Sequence, residues 1–128
     1  MIRGQWGRDT LFGGGGDDRL YGNSSRDIFH GEQGRDWLSG DGGNDDLYGG
    51  AEADRFIFAM DQNTGKDRIM DFEDGLDWFS MENSNGASFE DLTVQEWGRH
   101  TYVSWDTGSF WVMETDPALI GAQDFVFS

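Results

Sequence analysis

Six nine-residue blocks run without a gap from Gly4 to Ile57, and nothing else in the chain restricts its fold as much. They read GQWGRDTLF, GGGGDDRLY, GNSSRDIFH, GEQGRDWLS, GDGGNDDLY and GGAEADRFI. Place one is always Gly, and place six is always Asp (Asp9, Asp18, Asp27, Asp36, Asp45, Asp54). Place eight is always large and apolar (Leu11, Leu20, Phe29, Leu38, Leu47, Phe56). Three columns held in phase over six blocks specify a stacked, repeated backbone rather than an ordinary globular core.

Places one to six are rich in Gly, which suits a tight turn that visits positive φ. Places seven to nine suit a short strand, with place eight facing one way and its neighbours the other. Two blocks then make one coil of turn, strand, opposite turn and strand. The expected fold is all-β: a parallel β-roll over residues 4–57, with a β-rich cap over 58–128. Leu11, Phe29 and Leu47 fill the interior from one sheet and Leu20, Leu38 and Phe56 from the other. The same stacking sets Asp9, Asp27 and Asp45 in one column and Asp18, Asp36 and Asp54 in a second.

Neighbouring strands lie roughly 4.8 Å apart, so bare carboxylates in such a column repel one another. A hard cation between successive turns removes the repulsion. The formal charge of −16 points the same way, since it suits cation binding and disfavours nucleic acid, whose phosphates need clustered Lys and Arg. Beside the six Asp, the candidate ligand set includes backbone carbonyls that the turns can aim inward. These belong to the turns of Gly4, Gly13, Gly22, Gly31 and Gly40 at place one and of Gly7, Gly16, Gly34 and Gly43 at place four. Oxygen-only ligation in a flexible loop suits Ca²⁺ better than Mg²⁺. Transition metals would want His or Cys, and the chain has two His and no Cys. Three coils leave two gaps per edge, so four ions are expected: between Asp9 and Asp27, Asp27 and Asp45, Asp18 and Asp36, and Asp36 and Asp54. Ser25 and Glu52 stand where other blocks have Gly at place four, so sites bordering those turns are expected to be weaker.

The blocks resemble the RTX nonapeptide repeat, GGxGxDxUx. That resemblance implies a calcium-loaded parallel β-roll in a bacterial protein that is secreted without an N-terminal signal peptide. It also implies export through a type I secretion apparatus guided by the C-terminus, and a passenger domain upstream. The ending Asp124-Phe125-Val126-Phe127-Ser128 is similar to the acidic-then-apolar terminus of such proteins. Residues 56–82 resemble the segment that closes the roll in serralysin-type C-terminal modules.

After Ile57 the phase breaks, with two degenerate echoes at Gly65-Lys66-Asp67-Arg68-Ile69 and Gly75-Leu76-Asp77-Trp78-Phe79. Asp67, Asp71 and Asp77 are either further calcium ligands or members of a solvated acidic loop. Residues 88–127 read as β: a strand from Phe89 to Val94, a turn at Gly98–His100, a strand over Thr101–Trp105, and a hairpin turn at Asp106-Thr107-Gly108 leading to Phe110–Met113. Leu119, Ile120, Phe125 and Phe127 finish a cap that closes the open end of the array.

No catalytic constellation is present, so the module is expected to be non-catalytic. There is no H-E-x-x-H and no G-x-S-x-G, and Gly13–Gly16 is not followed by the Gly-Lys-Ser/Thr of a phosphate loop. The Arg3- and Arg8-bearing start has no apolar run like that of a signal peptide, and no stretch is long enough for a membrane span. His30 is expected to be solvated or stacked. Places seven and nine face outward, stacking Phe12, His30 and Tyr48 on one sheet, and Arg19, Trp37 and Arg55 beside Tyr21 and Ile57 on the other. Phe12, His30, Tyr48 and Trp37 are thus either packing columns or a platform for polysaccharide or a cell-surface or matrix partner.

Overall fold

The computed structural model describes residues Met1–Ser128 and contains thirteen strands, three short 3-10 turns and no α-helix. In chain order the strands are β1 (Ile2–Arg3), β2 (Thr10–Gly14), β3 (Arg19–Tyr21), β4 (Ile28–Glu32), β5 (Trp37–Ser39), β6 (Asp46–Tyr48) and β7 (Arg55–Ala59). They continue as β8 (Lys66–Ile69), β9 (Trp78–Glu82), β10 (Thr93–Trp97), β11 (His100–Ser104), β12 (Ser109–Val112) and β13 (Phe125–Phe127). No helix is long and apolar enough to cross a membrane.

Successive strands alternate between two facing sheets, as a two-block coil requires. One sheet runs β1-β3-β5-β7-β9-β13 and is parallel throughout. The other runs β2-β4-β6-β8-β12 in parallel and ends in two antiparallel strands, β11 and β10. The parallel stacking therefore carries on past the perfect repeats, through β8 and β9 and then β12 and β13.

Register turns place eight into two interior columns. Leu11, Phe29, Leu47, Ile69 and Val112 are aligned in one sheet. Ile2, Leu20, Leu38, Phe56, Phe79 and Phe125 are aligned in the other. From Leu20 to Phe79 the repeat-phase members of both columns are fully buried. The interior is thin at the regular coils and thickens toward the C-terminal end. There Phe58, Phe79, Phe110 and Phe125 pack ring against ring, with Phe58 and Phe110 stacked at 4.2 Å. This graded core suits a chain with only 36% hydrophobic residues.

Two local expectations are corrected. Phe89–Asp91 is a 3-10 turn rather than the start of a strand, and the strand begins at Thr93. Asp91 accepts a hydrogen bond from the Ser88 N–H at 2.8 Å, and this local bond closes the turn in place of a ladder bond. Ile57, at an outward place, is nevertheless buried, at the base of a groove flanked by the 62–64 loop. The hairpin at Asp106–Gly108 is present, closed by the Trp105 N–H donating to the Gly108 carbonyl at 2.9 Å.

Candidate metal centre

Each place-six Asp sits where a turn becomes a strand, and its backbone is tied in both directions. Its carbonyl accepts from the first strand residue of the next coil, as when Asp46 N–H donates to Asp27 O at 3.0 Å. Its N–H donates to the carboxylate of the next Asp on the same edge. Asp9 donates to Asp27 Oδ1 (2.7 Å), Asp27 to Asp45 Oδ1 (2.8 Å) and Asp45 to Asp67 Oδ1 (2.9 Å). On the other edge Asp18 donates to Asp36 Oδ1 (2.8 Å), Asp36 to Asp54 Oδ1 (2.9 Å) and Asp54 to Asp77 Oδ1 (2.9 Å). The columns are thus continuous ladders, and Asp67 and Asp77 are rungs of them.

Every rung after the first on each edge uses one carboxylate oxygen, Oδ1, in this way. The other, Oδ2, is buried without a hydrogen-bond partner in Asp18, Asp27, Asp36, Asp45 and Asp54. Buried polar oxygens are rarely left so, and five in two files mark a missing electropositive partner. No three His, Asp or Glu side chains converge on one point, so carboxylates alone do not complete a site. Backbone carbonyls stand close by. A Cβ on Gly22 would lie 2.8 Å from both Asp27 Oδ2 and Gly40 O, and one on Gly31 would lie 2.6 Å from Asp36 Oδ2 and against Gly49 O. Place one is therefore Gly because the space beside its α-carbon is bounded by acceptor oxygens, not because φ is positive there.

Positive φ belongs to place four, and to place two from the second block on. Gly7, Gly16, Gly34 and Gly43 have φ of 95°, 87°, 110° and 113°. Ser25 (φ 95°) and Glu52 (φ 76°) hold the same left-handed conformation, so those turns keep their shape despite the missing Gly. At place two, Asn23, Glu32 and Asp41 are left-handed as well. Such residues cost of order 1–2 kcal/mol each and persist only where the surroundings enforce them. Gly65 repeats the place-four role in the first echo, with φ 82° and its α-carbon against Gly43 O.

Burial makes the six inner ladder carboxylates, from Asp27 to Asp77, weaker acids. Asp36 and Asp77 are pushed up to about 6 and Asp54 to about 7, by burial foremost, opposed by the N–H each accepts and reinforced by neighbouring acids. Asp27, Asp45 and Asp67 are raised for the same leading reason; the charge of Asp45 raises Asp67 further, while the side-chain contact with Asp67 works against the rise at Asp45. Such groups need protons or a cation to lie together.

Asp71 is placed differently from the rungs. Both its oxygens accept backbone N–H groups, from Gly49 at 2.7 Å and Gly50 at 2.9 Å, so it clamps the segment after β8 onto the sixth turn. The outward rings form the two expected columns. Phe12, His30 and Tyr48 are stacked at 5.0 and 4.8 Å. Trp37 lies between the guanidiniums of Arg19 (4.3 Å) and Arg55 (4.4 Å), and Arg55 also covers Trp78 at 4.1 Å. Trp78, at place seven of the second echo, was legible from register and belongs with the Arg19–Trp37–Arg55 column. His30 and Trp37 have both faces covered, so they present edges and not stacking surfaces. His100 accepts from Glu114 N–H through Nδ1 at 2.8 Å, a structural role.

Residues 3–38 and 21–56 match the family model of the RTX calcium-binding nonapeptide repeat (4 copies). No curated protein sequence matches the chain. Among solved structures, the chain is similar to the extracellular lipase LipA from Serratia marcescens, with a TM-score of 0.55 and 19% identity over 88% of this chain and 20% of that one. This chain therefore spans about a fifth of the lipase chain, and at that identity the likeness is one of fold. The AlgE6R3 subunit of the Azotobacter vinelandii mannuronan C5-epimerase is aligned over 88% of this chain and 79% of that one, at 24% identity and a TM-score of 0.34, too low to carry an argument. RTX nonapeptide repeats bind calcium, and this chain, with its two carboxylate ladders, carries such repeats over residues 3–56 in a parallel β-roll.

Proposed function

We propose that the chain is a non-catalytic, calcium-responsive module that folds outside the cell and supports the secretion and folding of an upstream passenger. The observation that carries this reading is the file of buried, partnerless Oδ2 oxygens on each edge. They are acceptors in an acceptor-lined space, the donor set that Ca²⁺ takes from carboxylates and carbonyls. Four ions fall between the six repeat Asp residues. Asp67 and Asp77 extend the ladders by one gap each, for six in all.

The ions and the fold depend on each other, because the ladders do not exist in the extended chain. With free Ca²⁺ at about ten times a site's Kd, each site adds roughly 1.4 kcal/mol, and four add about 5–6. That equals the whole stability of many small domains. Dissociation constants of about 0.1–1 mM, as in extracellular modules, leave the chain unfolded where calcium is scarce. Phe125–Phe127 pair with β9, so a type I channel that reads this terminus must meet it before folding. The likeness in fold to part of an extracellular lipase supports a passenger of that general kind.

Circular dichroism with and without about 1–10 mM Ca²⁺ tests the reading. The expected result is coil in chelator, β-structure with Ca²⁺ and no comparable response to Mg²⁺. Alanine at Asp27, Asp36, Asp45 or Asp54, which each touch two gaps, should raise the calcium midpoint more than alanine at Asp9 or Asp18, which touch one. A fold indifferent to chelator would overturn the proposal.

A further inference from the structure

The change of period after residue 57 leaves a feature that calcium binding does not use. Ladder residues are eighteen apart until Asp45 and Asp54, whose partners lie twenty-two and twenty-three residues on. β7 runs to five residues there, beyond the three-residue β5 beside it, and the five-residue β9 pairs along its whole length. At this step a groove of about 500 Å³ opens on the outer face of the sheet.

Its base is apolar, with Ile57 buried and Ala59 beside it, and Tyr21 also lines it. Its exposed rim carries two carboxylates, Asp41 and Glu82, and the amide of Asn83. Asp41 is pre-set: its backbone is left-handed at φ 61°, and its Oδ1 accepts from Ser39 Oγ at 2.7 Å. The Thr64 hydroxyl in the same groove is buried and without a partner, in a residue only 6% exposed.

We propose that this groove binds a neutral, hydroxyl-rich saccharide. Carboxylates accept hydroxyl protons, an amide both donates and accepts, and an apolar base meets the C–H face of a pyranose. The volume falls within the range of small-molecule sites. No Arg or Lys lines the groove and two carboxylates, Asp41 and Glu82, stand on its rim, so anionic saccharides are repelled. The rim acids do not gather into a metal cluster. The site depends on the fold alone, so it stands or falls separately from the calcium stoichiometry.

The test is an NMR titration of the calcium-saturated chain with maltotriose, cellotriose, triacetylchitotriose and trigalacturonate. At least one neutral trisaccharide should give saturable shifts in residues 57–65 and 82–83, and trigalacturonate none. Glu82→Gln should weaken binding about tenfold, as loss of a charge-assisted hydrogen bond does, with the calcium-induced dichroism unchanged. Should that variant lose the dichroism, Gln62→Trp, which fills the groove from its exposed loop, replaces it and must abolish the shifts. Silence from all three neutral sugars up to about 10 mM, well above a weak millimolar affinity, overturns the proposal. So does equal binding of trigalacturonate, or binding that the groove variants leave intact.

Discussion

The Asp45 N–H donates to Asp67 Oδ1 at 2.9 Å across twenty-two residues, and so reproduces the Asp27–Asp45 bond made across eighteen. The ladder crosses the break in the repeat without a change of geometry, because the four added residues are absorbed before the turn that carries Asp67. Gly65 keeps the left-handed place-four turn there.

If the ladder is continuous in function as well, Asp67→Asn and Asp77→Asn each remove one ion from the bound total. Native mass spectrometry in calcium should count six ions for the parent and five for either variant. A count of four in the parent, unchanged by both substitutions, would restrict the sites to the perfect repeats.

How much of this was legible depends on how strictly the period is kept. The Asp, Gly and apolar columns of blocks one to six could be placed in register from spacing alone, since each coil contacts its neighbours identically. Asp67 and Asp77 were visible as echoes, but only a register that skips four and five residues makes them rungs, and spacing cannot supply that. The reason for Gly at place one was hidden for a different cause. It is a close approach of Gly22 to the Gly40 carbonyl eighteen residues on, not a property of the local turn. Asp71, readable from its spacing as either a ligand or part of a solvated acidic loop, also clamps Gly49 and Gly50, a contact that spacing does not foretell. The groove beside Ile57 arises where the period fails, which is where a periodic argument has least to say.

Crowding at place one predicts a sharp positional contrast among glycines. A Cβ on Gly31 collides with Gly49 O and meets Asp36 Oδ2 at 2.6 Å, whereas one on Gly15 meets nothing within 4 Å. Gly31→Ala should cost about 1–3 kcal/mol, the range for overpacking, and should weaken calcium binding besides. Gly15→Ala should be neutral within about 0.5 kcal/mol, as surface changes usually are. Equal thermal midpoints for the two variants in saturating calcium would refute the close approach.

Ser25 and Glu52 hold φ of 95° and 76°, a conformation that side chains resist. Replacing either with Gly removes about 1–2 kcal/mol of strain and adds part of that back as chain entropy in the unfolded state, about 0.5–1 kcal/mol. Ser25→Gly and Glu52→Gly should therefore stabilise the calcium-loaded fold modestly, by about 0.5–1 kcal/mol each. Chemical denaturation at fixed free calcium measures this. A loss of stability in both would mean that these side chains make contacts worth more than the strain.

The burial of the rungs gives calcium-free and calcium-loaded chains opposite responses to pH. Without an ion, Asp36 and Asp77 are raised to about 6 and Asp54 to about 7, from an ordinary value of 3.8. A carboxyl raised in the fold takes up a proton on folding. Its contribution is therefore fully present below about 4 and is lost as pH rises through 6–7. In chelator the residual β-structure should accordingly be greatest near pH 4 and fall away to coil toward pH 7.5. Calcium inverts the slope, because it binds the ionised carboxylates and competes with those same protons. In millimolar calcium the thermal midpoint should rise between pH 5 and 7.5, and the calcium midpoint should fall over the same window. Thermal melts followed by dichroism at several pH values, with and without chelator, read both slopes. Parallel slopes under the two conditions would mean that the rungs are not where the ion sits.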